Sequence, residues 1–230
     1  MRNSARRVRI SSRAARIALV ALALFAGCAR APENVPFTDA DLRGHPQLAE
    51  WMDLWPPPAS PLTADSFRLV RESNGIGELL APSSPYGFAV FPKWQYKWLQ
   101  YSPDSAWAVD LWLWQVDSLG VFLGEVDSHV SLLDLAGGQF YHLLDCGTPC
   151  GFHTAIWISE SSFLVAGWEE CQDDPPGRIM PLLIRYDLKE KRTRTFTGPP
   201  IGQESIEPFR ASLREQWYSW YPWMSFMRFE

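Results

Sequence analysis

The chain lacks the short motifs that announce common chemistries. There is no GxSxG elbow, no HExxH helix, no phosphate-binding P-loop and no complete EF-hand loop. Gly75-Ile76-Gly77 lacks the third glycine of a dinucleotide loop and reads as turn glycines. The apolar run Ile17 to Ala26 (IALVALALFA) is too short to span a bilayer, which needs roughly 20 such residues. Basic residues are scarce once the start is passed. Residues 1–27 hold six arginines and no acid, leaving 15 basic against 26 acidic residues in the rest of the chain. An acidic body of this kind argues against nucleic acid as a partner, because phosphate binding requires a basic surface.

What is present suits a folded, β-rich chain. Hydrophobic residues make up 47% and charged residues 20%, which argues against global disorder and provides for one sizeable core, with or without a small appendage. Twelve tryptophans run from Trp51 to Trp223, too widely spread for one site. They suit core or half-covered strand positions, where a large ring fits a pleated surface.

The N-terminus carries an address. Met1 to Arg16 is arginine-rich, Ile17 to Ala26 is apolar, and Gly27-Cys28 follows, in the order of a secretory signal. The ending Phe25-Ala26-Gly27-Cys28 resembles the lipobox of bacterial lipoproteins, with Phe25 where leucine is usual. The resemblance implies a signal peptide over 1–27, lipidation of Cys28 as the mature N-terminus, and a membrane partner held through that lipid. By the same family's sorting habit, Ala29 after the cysteine implies the outer membrane. An ordinary signal peptide with a chance cysteine is the alternative.

Residues 28–60 read as a tether and a short helix. Pro46 to Trp55 places Leu48, Trp51, Met52 and Trp55 on one helical face, with Pro46 in the first turn and Pro56-Pro57-Pro58 as the stop. Residues 61–230 read as the β-rich domain. Phe67 to Glu72, Ile76 to Leu80, Tyr86 to Phe91 and Lys93 to Tyr101 have strand character and suggest a third, degenerate repeat unit. Near the end, Phe209, Leu213 and Trp217 share a helical face.

Two copies of one pattern occupy 94–145 and 152–198. Ser102 and Ser159 lie 57 positions apart, and Asp134 and Asp187 lie 53 apart. Each copy reads as a four-stranded antiparallel unit. Ser102-Pro103-Asp104, and Asp134-Leu135 followed by Gly137, resemble the first-turn and last-hairpin motifs of bacterial WD-type β-propeller blades. The second copy keeps Ser159 and Asp187-Leu188 but not the other motif residues. The resemblance implies a mainly β chain of two or three blade-like antiparallel units, or a β-sandwich built from them, with short terminal helices. It also implies a display surface rather than a catalytic one.

Candidate chemistry is sparse. His142, Cys146, Cys150, His153 and Cys171 form the densest group of metal-ligand types, and the first four of them have no standard zinc spacing. In an exported chain a disulfide is the simpler expectation. With Glu160-Ser161 as a two-residue turn, Ser159 faces Ser162, and nine further steps place Cys150 opposite Cys171. That register predicts a Cys150–Cys171 bridge with Cys146 outside it; a bulge in the turn would favour Cys146 instead. The acidic stretch around Glu169-Glu170 and Asp173-Asp174 reads as a solvated loop, with calcium binding as the rarer reading. No pair of carboxylates singles itself out for glycoside cleavage. The aromatic tail from Trp217 to Phe229 reads as core filling, or as an exposed platform built on Trp217, Trp220 and Trp223. No metal, cofactor or catalytic residue is assigned. The resulting expectation is an envelope lipoprotein with a non-catalytic binding or scaffold role toward an envelope protein or polysaccharide. A carbohydrate-binding surface protein is second and an envelope hydrolase third.

Overall fold

The computed structural model describes residues 37–74, 99–111, 121–122, 128–147, 149–171, 177–220 and 225–226. All of them belong to one compact unit, Val35–Glu230. It is mainly β, with antiparallel sheets of four and five strands and a few short helices.

A helical entry precedes the sheets. Thr38 caps helix α1 (Asp39–Arg43) in a capping box with Asp41, each satisfying the other's backbone N–H. Helix α2 (Pro46–Asp53) begins on Pro46, whose missing N–H costs nothing in a first turn. It ends before the triple proline, as expected. Leu48, Trp51 and Met52 form its buried face, and Trp55 is buried just beyond it.

The first repeat is a four-stranded meander, β2 (Gln100–Tyr101), β3 (Trp107–Asp110), β5 (Ser128–Asp134) and β6 (Gln139–Cys146), with neighbours in chain order. The second is the same meander, β7 (Cys150–Ser159), β8 (Ser162–Glu170), β9 (Ile179–Asp187) and β10 (Arg192–Thr197). Strand β1 (Arg68–Asn74) does not start a third unit. It pairs antiparallel with β10 and makes the second sheet five-stranded. The expected strands at 76–80 and 86–91 lie outside the described residues. A small parallel pair joins β4 (Val121–Phe122) to β11 (Ser225–Phe226).

The matching turns fall where the repeat places them. Ser102-Pro103-Asp104 joins β2 to β3, and Glu160-Ser161 joins β7 to β8. Ser102 Oγ donates to Asp104 Oδ1 at 2.6 Å and accepts from the Trp107 N–H at 3.0 Å. In the last hairpins, Asp134 accepts from the Gly137 N–H at 2.7 Å and Asp187 from the Glu190 N–H at 2.8 Å. Four residues past each aspartate the backbone turns left-handed, at Gly138 (φ 65°) and at Lys191 (φ 51°). The second copy has thus kept the turn while losing its glycine.

The two meanders pack face to face. Val109, Val130, Leu132 and Leu143 from the first meet Phe152, Trp157, Phe163, Val165, Ile184 and Tyr186 from the second. The other face of the five-stranded sheet carries Ile156, Leu164, Leu183 and Phe196. It packs under α2 and the last helix, α3 (Ile206–Trp220), through Trp51, Trp55, Phe209 and Leu213. Trp55 and Phe209 bring their ring centroids to 4.3 Å. Phe209 and Leu213 are buried as their spacing predicts.

Candidate functional site

The start of α2, the first turn of the first meander and strand β7 enclose a cleft of about 440 Å³. That volume lies within the range of small-ligand sites. His45, Pro46 and Gln47 form one wall, Gln100, Tyr101 and Pro103 a second, and Ile156 and Trp157 the floor. Tyr101 is 45% exposed, and among the described residues it and Val70 are the large hydrophobic side chains left open to solvent. Trp157 is nearly buried, and its indole N–H donates to the Gln100 carbonyl at 2.7 Å. That bond ties the two sheets together at the floor of the cleft. Thr154 donates to Gln47 Oε1 at 3.4 Å. The Ser102 hydroxyl, and then the Ala106 N–H, hold Asp104 below the usual carboxylate range and keep Pro103 in its turn. Rings, prolines and amide side chains line the space, and none of the described lining residues is an acid. Among the described lining residues, His45 is the one histidine.

A second cluster lies on the outer face of the first meander. His129 and Asp145 are directly paired across β5 and β6 and are hydrogen-bonded. His142 Nε2 lies 2.7 Å from the same Asp145 Oδ1. The candidate ligand atoms of the three residues all fall within 4.8 Å of one another. Burial works to raise the Asp145 pKa, but the bonds from His142 and His129 outweigh it and hold the group below its ordinary value.

The sequence-level metal grouping is dispersed. His142 joins His129 and Asp145, whereas Cys146 and Cys150 are bridged to each other with Cα atoms 5.8 Å apart. His153 is fully buried beneath α3, where its Nε2–H donates to Gln216 Oε1 at 2.7 Å. Burial lowers its pKa to about 3, so it is a neutral core group.

The Cys146–Cys150 bridge corrects the expected Cys150–Cys171 pairing. The turn is as expected, with Ser159 facing Ser162. Two bulges then intervene, one between Trp157 and Ser159 and one between Phe152 and Thr154, and each skips a residue of β7. Cys150 therefore faces Glu169 instead of Cys171. Cys171 is buried, and its N–H donates to the Arg178 carbonyl at 2.8 Å, outside this bridge. Glu169 is half-buried, and burial raises its pKa against the opposing charge of Arg71. Asp173 and Asp174 of the acidic stretch lie outside the described residues.

Trp217 and Trp220 belong to the end of α3. Their side chains, Trp223 and Cys28 lie outside the described residues. No helix among those described is long and apolar enough to cross a membrane. Compared with known proteins, the chain matches no protein-family model, no curated protein and no solved structure.

Proposed function

We propose that this chain is a lipoprotein of the bacterial cell envelope, anchored through Cys28, whose β body is a non-catalytic binding or scaffold module. The anchor rests on the arginine-rich start and the FAGC ending. The binding role rests on one observation above all, the cleft where Tyr101 stands open beside Trp157 and two prolines. Rings and prolines present rigid apolar area that costs little side-chain entropy to bury against a partner. The two stacked meanders supply a stiff frame for that surface, and the propeller-like reading of the repeats fits a display role.

Carbohydrate is the second reading, and a specific feature favours it. Aromatic faces beside the Gln47 and Gln100 amides match the mixture of C–H faces and hydroxyls on a sugar ring. Titration of the full-length chain against envelope proline-rich peptides and a panel of envelope polysaccharides, followed by tryptophan fluorescence, separates the two. A peptide response weakened roughly tenfold by Tyr101→Ala supports the leading reading, on the scale of about 1.4 kcal/mol for a lost aromatic contact. A polysaccharide response lost in the same variant installs the second reading, and silence toward both panels refutes the cleft as the binding site.

A further inference from the structure

We infer that His129, His142 and Asp145 form a binding site for a borderline divalent cation of the zinc type. The site is independent of the cleft and belongs to the outer face of the first meander.

Placement on one face is the first argument. Strict alternation would send His142 and Asp145, three residues apart on β6, to opposite sides of the sheet. The bulge between the Val130–Leu144 and Ser131–His142 pairs removes that conflict. Leu143 and Leu144 both turn to the inter-sheet core, and His142 and Asp145 both turn outward. His129, next to the inward Val130, joins them from the neighbouring strand. Re-aiming a side chain in this way is a known use of bulges beside functional sites.

Ligand chemistry is the second. Two imidazoles and one carboxylate are a donor set that zinc, nickel and copper accept readily, whereas calcium and magnesium prefer oxygen alone. Both rings converge on a single carboxylate oxygen, with ring centroids 5.5 Å apart. The side chains keep 22%, 29% and 64% exposure for His129, His142 and Asp145, so an ion can reach them. Metal bonds of about 2.0–2.2 Å in a tetrahedron put ligand atoms about 3.3–3.6 Å apart. From separations of at most 4.8 Å, that geometry requires side-chain adjustments of roughly 1 Å in groups that are not locked in the core. Three protein ligands leave at least one position open to water or another donor.

Surroundings supply the third. Ser131 sits directly opposite His142 and two residues from His129 on the same strand face. It is buried, and its hydroxyl has no hydrogen-bond partner among the described residues. A buried hydroxyl of this kind beside the cluster is suited to orient a ligand or a metal-bound water.

The test is zinc titration of the full-length chain in detergent against a chromophoric chelator, repeated with His129→Ala, His142→Ala and the milder His129→Gln and His142→Gln. The expected result is one zinc per chain in the wild type, weakened by more than about 100-fold in each variant, beyond the 10–100-fold that loss of a mere supporting group costs. Zinc should raise the melting temperature of the wild type and of none of the variants. The cobalt-loaded wild type should show d–d bands without thiolate charge transfer, which separates this site from Cys171. Absence of a stoichiometric site, affinity unchanged by the substitutions, or a thiolate band overturns the assignment and leaves the three residues a hydrogen-bonded cluster only.

Discussion

The indole N–H of Trp157, on strand β7, donates to the backbone carbonyl of Gln100, on strand β2, at 2.7 Å. This one bond crosses between the two sheets and fixes the floor of the cleft. Trp157→Phe keeps most of the apolar contact with Phe163 but removes the donor. The expected cost is about 1–3 kcal/mol of stability, the usual range for breaking a largely buried hydrogen bond. Urea denaturation measures it. A loss below about 0.5 kcal/mol would show that the bond does not hold the sheets together.

His153 makes the fold acid-sensitive. Its folded pKa of about 3 lies well below the unfolded value of about 6.5, so the unfolded chain binds the extra proton first. The contribution of the neutral ring is fully present above about pH 6.5 and is lost as pH falls toward about 3, with a limiting slope of roughly 1.4 kcal/mol per pH unit. His153→Gln carries no titrating group. Denaturation from pH 7 to 4 should therefore show a slope shallower by about one proton in the variant than in the wild type. Parallel slopes would contradict the buried, neutral state.

Lys191 occupies the left-handed position that Gly138 takes in the first copy. A side chain there costs roughly 1–2 kcal/mol, and glycine gives part of that back through its freer unfolded state. Lys191→Gly should stabilise the protein by about 0.5–1 kcal/mol. Gly138→Lys should destabilise it by a similar amount. Paired thermal melts check both signs.

Cys146 and Cys150 close a short loop at the junction of the two meanders. Non-reducing peptide mapping of the oxidised protein should recover one peptide pair joining these two residues. The double change Cys146→Ser with Cys150→Ser should cost about 2 kcal/mol, the chain-entropy value for so small a loop. A recovered Cys150–Cys171 linkage would contradict the observed register.

Much of the fold was legible because its signals are local. Ser102-Pro103-Asp104 and the Asp134 and Asp187 hairpins mark turns through side chains that bond their own backbone, and such motifs read directly from the sequence. Pro46 and the Leu48, Trp51, Met52 spacing marked α2 equally well. Bulges left no comparable trace. Ile158 and His153 look like ordinary strand residues, yet each is skipped in the ladder, and together they moved Cys150 two places from Cys171. The bulge at Leu143 hid the cluster in the same way, because alternation separates His142 from Asp145 and nothing local points to His129. The place of β1 was also beyond local reading. Its pairing with β10 joins residues more than a hundred positions apart, with Arg194 Nε 2.7 Å from Glu72 Oε2 across it.

Anchoring through Cys28 is tested most directly by fatty-acid labelling with membrane fractionation, comparing the wild type with Cys28→Ala in a bacterial host. The wild type should incorporate labelled palmitate and sediment with the membranes, whereas Cys28→Ala should lose the label and appear in the soluble fraction. A Cys28→Ala chain that remains labelled and membrane-bound, or a wild type that never takes up label, would contradict a lipid-anchored envelope protein.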